Sequence, residues 1–267
     1  MSQLVMTEIV QGVATLILND PDKMNALSQP MAEQLFSALE QARYDESVRV
    51  IVLRGAGGRF CAGGDIKSMK KRVDCYAQGV APDTSVPSNM WNLNRLVLTI
   101  RQTEKPVIAW IEGACAGGGM SLAMACDFSI AAQDVKMTCA FAGIGLAPDM
   151  GSTMMLLRRT SPVVATDLFM TARRFTGRQA ADWGIITRAV PAEELDKEVA
   201  SLSAQLAGGP TRAYGEIKGA VNRILYDGLY QCMANEAACA ERLTRSKDHA
   251  EAVNAFLEKR KPAFQGK

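Results

Sequence analysis

Histidine is nearly missing from this chain: His249 is the one instance in 267 residues. A Ser-His-Asp relay would need that distant C-terminal residue to fold back, and sites built from several imidazole ligands have no material. His249 stands in a charged stretch and is expected to be a solvent-exposed helix residue. The cysteines also lack a pattern. Cys61, Cys75, Cys115, Cys126, Cys139, Cys232 and Cys239 are odd in number, scattered and without C-x-x-C spacing. They read as reduced packing residues, and no metal is expected. No apolar run reaches the roughly 20 residues of a membrane span. The start, Met1-Ser2-Gln3-Leu4, has neither the basic nor the long apolar region of a signal peptide, so a cytoplasmic location without membrane contact is expected. An excess of one charge is missing too. Against 30 Lys and Arg stand 28 Asp and Glu, so no global field recruits nucleic acid. Neither G-x-G-x-x-G nor G-K-[ST] occurs, which removes the common dinucleotide and nucleotide cradles.

What is present is 48% hydrophobic residues, enough for a sizeable core, arranged in alternating strand and helix periods. Leu4 to Val10 and Val13 to Asn19 read as paired strands around Gln11-Gly12, Gln29 to Arg43 as a helix and Arg49 to Leu53 as the next strand. Ile66 to Arg72 has helical spacing with Asp65 placed to cap it. Asp74 to Asn89 reads as a long loop, followed by a helix over Met90 to Gln102 and a strand over Pro106 to Glu112. A helix after the triple glycine, strands at Phe128 to Ala132 and Lys136 to Cys139, and helices near Ser152 to Arg159 and Val163 to Thr171 complete a recurring strand-strand-helix rhythm. Beyond Gly184 the chain reads as almost entirely helical to Lys261.

Two glycine turns stand out. Phe60-Cys61-Ala62-Gly63-Gly64-Asp65-Ile66 follows one strand, and Ala116-Gly117-Gly118-Gly119-Met120-Ser121 follows another and leads into a helix. Glycine lets backbone approach a ligand, and a helix start leaves N–H groups unpaired. Taken singly, such turns serve packing. Two of them, each following a strand, can aim two donors at one oxyanion.

The pair F-C-A-G-G-D-I and G-A-C-A-G-G-G-M-S-L-A-M-A-C-D resembles the signature of the crotonase (enoyl-CoA hydratase/isomerase) superfamily. The resemblance runs from Asn19-Asp20-Pro21 and Asn25-Ala26-Leu27 to Phe256-Leu257-Glu258-Lys259-Arg260. It implies an α/β spiral of repeated β-β-α units over residues 1–190 and a helical region over 191–267 that packs on the core and on neighbouring subunits of a homotrimer or hexamer. It implies an acyl-CoA thioester as ligand, coenzyme A arriving as part of the substrate and no separate cofactor. The backbone N–H groups of Gly64 and Gly118 would bind the thioester oxygen, with Gly117 and Ile66 beside them. Ala62 would offer its carbonyl to the adenine amino group. Lys67, Phe256 and Lys259 match positions that approach the nucleotide, though a lysine there serves equally as a solvated charge.

The departures from the family pattern matter more. Hydratases of this superfamily carry one glutamate just after the glycine run and another about twenty residues on. Here Ser121 and Phe141 occupy those places. Adding water to a conjugated double bond needs a base for water and an acid for carbon, so losing both carboxylates argues against that chemistry. Asp149 stands eight residues beyond Phe141, where dienoyl-CoA isomerases and the ring-opening epoxyphenylacetyl-CoA isomerase branch carry their catalytic aspartate. One carboxylate suffices to shuttle a proton between two carbons, and Phe141 would exclude water and desolvate Asp149. The same Asp149 reads equally as a helix N-cap for Met150 to Arg158. Asp65 reads first as a cap, Ser121 as packing or a substrate hydrogen bond, and Met90, Trp91 and Leu93 as core or acyl-pocket lining. The readings that follow are an enoyl-CoA double-bond isomerase; an atypical hydratase or another crotonase-type reaction, such as hydrolysis or C–C cleavage; and a non-catalytic acyl-CoA-binding protein.

Overall fold

The computed structural model describes residues 3–267; Met1 and Ser2, which open the N-terminal stretch discussed above, lie outside the described residues. The first pair of strands, β1 (Val5–Val10) and β2 (Val13–Leu18), is an antiparallel hairpin turned at Gln11 and Gly12, both at positive φ. Helix α1 (Gln29–Tyr44) begins at Ser28, whose hydroxyl accepts from the Met31 N–H, and β3 (Val50–Gly55) returns parallel to β2. Next come α2 (Ile66–Ala77), α3 (Val86–Gln102), β4 (Val107–Ile111), the two-residue β5 (Cys115–Ala116) and α4 (Gly118–Ala125). Then follow β6 (Phe128–Ala132), β7 (Lys136–Thr138), α5 (Ser152–Arg159), α6 (Pro162–Thr171), β8 (Phe175–Thr176), α7 (Gly177–Asp182) and β9 (Arg188–Val190). Four helices close the chain: α8 (Leu195–Ala207), α9 (Thr211–Leu225), α10 (Leu229–Leu243) and α11 (Lys247–Leu257).

Two sheets result, a six-stranded one ordered β1-β2-β3-β4-β6-β9 and a small one ordered β5-β7-β8. The chain alternates between them. From β3 it reaches Cys61, which bridges to Cys115 of β5; from β4 it reaches β5 itself, and from β6 it reaches β7. Each passage ends in a helix, so successive turns stack as a spiral. This is the α/β crotonase-type architecture that the sequence implied, with a helical C-terminal region. The inner strands β3, β4 and β6 are apolar and nearly inaccessible, as sheets covered on both faces require.

Three segments differ from the sequence reading. The long loop expected over Asp74 to Asn89 is helical at both ends and shrinks to residues 78–85: α2 runs on to Ala77 and α3 begins at Val86, capped by Ser85. Polar residues suggested a loop there, but one face of each helix buries apolar side chains such as Val73, Val86 and Met90. The strands β5 and β8 are two residues long, too short for periodicity to reveal, and β9 interrupts the stretch expected to be helical. His249 is not exposed: it is 1% accessible, and its Nδ1 lies 2.7 Å from the Ile144 carbonyl. Helix α11 folds back onto α2 and onto a short 3-10 turn, Ala142–Ile144, covering the imidazole despite the charged neighbours. Burial lowers its pKa, which favours the neutral ring.

The helical region is locked to the core by a buried charge cluster. Asp127 accepts from Arg101 (3.1 Å), from Lys218 of α9 (2.7 Å) and from the Val107 N–H (2.9 Å). Asp127→Ala would strand two cations whose side chains are each 6% exposed. The expected cost is about 3–5 kcal/mol of folding free energy, read by urea denaturation. A loss below 1 kcal/mol would show that the cluster adds nothing.

Candidate active site

The site begins with the pairing of Cys61 against Cys115. The Cys61 N–H donates to Ala114 O (3.1 Å) and the Ala116 N–H to Cys61 O (3.0 Å), so the two glycine turns leave adjacent strands side by side. A Cβ on Gly119 would stand 2.3 Å from the Cys61 carbonyl, and one on Gly63, at φ +89°, would stand 2.7 Å from Ala116 O and 3.1 Å from the Gly118 nitrogen. Only glycine permits this approach. The Leu27 N–H holds Gly63 O (2.7 Å) from the other side. The buried Asn25 fixes that loop: its amide donates to Ala56 O and Arg59 O, and its Oδ1 accepts from the Asp20 N–H. The Asn25-Ala26-Leu27 segment is therefore a brace for the first glycine turn.

Among the described residues, neither the Gly64 N–H nor the Gly118 N–H donates to a protein acceptor. Gly118 opens α4, so its free N–H is one of the unpaired donors at a helix start. Asp65 does cap α2, its carboxylate accepting from the Lys67 N–H (3.1 Å) and the Ser68 hydroxyl (2.7 Å). Ile66 is the first residue of that helix. The Ala62 carbonyl likewise accepts nothing from the described residues, while its N–H donates to Met24 O. Lys67, Phe256 and Lys259 are exposed, on or next to α2 and α11, which pack together in one chain.

Asp149 is not the cap of α5. The cap position is Gly151, at φ +74°, preceded by Met150 at φ +55°. The N-terminus of α5 is instead satisfied by Glu236 of α10, which accepts from the Gly151 N–H (2.6 Å) and the Thr153 N–H (2.9 Å). Two successive left-handed residues turn the chain sharply after Asp149, so its side chain leaves the helix axis and cannot reach the first-turn donors. Its Oδ1 is closed off from water and has no hydrogen-bond partner. Burial, with the nearby Glu236 charge second, pushes its carboxyl up to about 7.

Ser121 is fully buried, and its hydroxyl turns to the backbone, 3.3 Å from the Asp149 carbonyl and 3.4 Å from Gly117 O. It ties α4 to the Asp149 turn. Phe141 is buried, 4.0 Å from where a Cβ on Gly117 would stand, and packs on Phe169 at 6.4 Å between ring centroids. Met150 Sδ would meet a Cβ on Gly118 at 3.2 Å, which brings the aspartate turn against the second glycine turn. Met90 and Leu93 join the core, whereas Trp91 is half exposed.

Glu236 escaped the sequence reading. Its signal was present: with Leu229, Met233 and Ala240 it lies on the buried stripe of α10, and a carboxylate on such a stripe needs a partner. Among the described residues no group of three or more His, Cys, Asp or Glu could hold a metal ion, and no helix is long and apolar enough to cross a membrane.

Comparison with known proteins gives the family and the fold. The enoyl-CoA hydratase/isomerase family profile matches residues 8–267. The chain is 36% identical to the 1,2-epoxyphenylacetyl-CoA isomerase of Escherichia coli K12 over 267 residues, all of both chains. It is also 36% identical to a probable enoyl-CoA hydratase of Rhodobacter capsulatus over 260 residues, 97% of each. Its fold superposes with a TM-score of 0.88 on the crystal structure of an enoyl-CoA hydratase from Mycobacterium avium subsp. paratuberculosis, 29% identical, covering 98% of this chain and 99% of that one. The chain belongs to the enoyl-CoA hydratase/isomerase family.

Proposed function

We propose that the protein is an enoyl-CoA double-bond isomerase that works with one carboxylate. The observation that carries the reading is the Asp149 Oδ1, buried and unpartnered on a turn whose next residue, Met150, packs against the second glycine turn. A thioester oxygen seated between the Gly64 and Gly118 N–H groups would gain two donors as it becomes an enolate oxygen. Asp149 would take a proton from the α-carbon of a 3-enoyl thioester. The C–H electron pair moves into the conjugated system and onto that oxygen, and the carboxyl then delivers a proton to the γ-carbon as the electrons return to form the 2,3 double bond. A carboxyl near pKa 7 suits both halves, since it accepts and releases a proton at similar free energy. Similarity to an epoxyphenylacetyl-CoA isomerase supports the reading.

Hydration fits less well. Ser121 and Phe141 fill the two glutamate positions, and both oxygens of Glu236 are engaged by backbone N–H groups, which leaves no second free carboxylate for water. On the same reading, Ala62, Lys67, Phe256 and Lys259 take the nucleotide end of the ligand. Assembly as a trimer or hexamer belongs to it as well: α9 exposes Ile217 (61%), Val221 (40%) and Ile224 (77%), an apolar row that a neighbouring subunit would cover.

The test is mass spectrometry of 3-enoyl, 2-enoyl and 2,4-dienoyl-CoA esters incubated in heavy water. Double-bond migration with deuterium at the α- or γ-carbon and no added water is the expected result. Addition of water, or loss of the thioester, would overturn it.

A further inference from the structure

Asp149 sits on a turn that is unfavourable by itself. Met150 occupies the left-handed region without being glycine, and Gly151 follows in the same region. Such a conformation persists only where its surroundings over-determine it. Two groups do so here. Ser121 Oγ lies 3.3 Å from Asp149 O, and Glu236 reaches from a helix 85 residues away to accept from Gly151 at 2.6 Å and from Thr153 at 2.9 Å. A Cβ on Gly151 would stand 2.7 Å from Leu229 and 3.0 Å from Met233, so α10 also presses on the turn sterically.

We propose that Glu236 is a positioning residue for the reaction, clamping the Met150–Gly151 turn so that Asp149 faces the substrate and placing a second negative charge behind it. The inference rests on Asp149 being the base. Glu236 is no proton carrier itself, because each of its oxygens is held by a backbone N–H at the start of α5. Those donors and the positive end of the α5 dipole face its two oxygens. Other charges are remote from the turn. Helix α4 has no ionisable residue, and the arginines of α5 stand at its far end as Arg158 and Arg159. On α10, Tyr230 is exposed, Cys239, Glu241 and Arg242 stand toward its C-terminal end, and Cys232 lies 3.8 Å from Glu236 Oε1 with its thiol pushed up to about 11, first by burial and then by Glu236. With Glu236 as the charged neighbour, its electrostatic effect on Asp149 reads directly in the titration of that residue.

Glu236→Gln keeps shape and one acceptor oxygen while removing the charge. Aspartate labelled with 13C at the carboxyl, with Asp149→Asn to assign the signal, gives the Asp149 midpoint by NMR without turnover. Removing the negative neighbour favours the ionised form of Asp149, so the midpoint should fall by roughly one pH unit, and the acid limb of kcat should follow it. At pH 7 kcat should drop about tenfold as the turn loosens, with KM changed less than twofold. Glu236→Asp, which keeps the charge on a shorter arm, should restore the midpoint better than kcat. An unmoved midpoint with a lowered melting temperature would make Glu236 a helix cap alone and overturn the proposal. An unmoved midpoint with unchanged kcat would overturn it too. If the midpoint moves while Asp149→Asn remains active, the isomerase reading fails and the role in the reaction falls with it, leaving only an electrostatic coupling of the two carboxyls.

Discussion

Asp149→Asn is expected to lose about 10²–10⁴ in kcat for double-bond migration while leaving the folded protein more stable above neutral pH. The two effects share one cause. A carboxyl with an ordinary pKa of 3.8 is held at about 7 in the folded chain by burial and by Glu236. Between those values the folded state keeps a proton that the unfolded state has released, so stability falls as pH rises from about 4 to about 7 and stays reduced above. At pH 8 the penalty is on the order of 2–4 kcal/mol, which asparagine, uncharged and nearly isosteric, removes. The measurements are kcat by exchange in heavy water and melting temperature at pH 5 and pH 8. A variant that is inactive and gains stability chiefly at pH 8 is the expected outcome. An active variant would dismiss Asp149 as the base, and equal stability changes at both pH values would show that its carboxyl titrates normally. The wild-type rate should also rise with pH and level off above about 7, as the base loses its proton.

Gly118→Pro and Gly118→Ala form the second test. Gly118 is the first residue of α4, where proline is tolerated because the N–H it lacks has no helical partner. Both substitutions introduce a Cβ that would stand 3.1 Å from Leu27 and 3.2 Å from Met150, so both share a packing cost of about 1–3 kcal/mol. Only proline also removes the donor. Proline should therefore cost a further 10²–10³ in kcat beyond alanine, the effect of deleting one oxyanion donor. Equal losses in the two variants, with circular dichroism confirming the fold, would show that the Gly118 N–H does not meet charge in the transition state.

Much of this was legible in order along the chain. The hairpin at Gln11-Gly12, the cap at Asp65 and the strand before each glycine turn all lie within short windows, where side-chain period and glycine content act directly. The missing glutamates at Ser121 and Phe141 came from the family resemblance instead. The errors came where distant segments decide. Charged neighbours made His249 look exposed, but α11 folds onto the Ile144 turn and buries it. For Asp149 the sequence left a cap as the alternative to a base; two left-handed residues intervene, and Glu236, 85 residues beyond Gly151, takes the capping role.

The sequence by itself determined the family, through its motifs, and the spiral of alternating strands and helices with the two glycine turns, because propensity and spacing act over a few residues. Tertiary structure alone decided that Cys61 pairs with Cys115 to set the turns side by side, and that Glu236 takes the capping role while the Asp149 Oδ1 is buried without a partner. The physical reason is that a carboxyl's proton affinity depends on what lies within a few ångströms of it, and only the packing of α4, α5 and α10 fixes those neighbours.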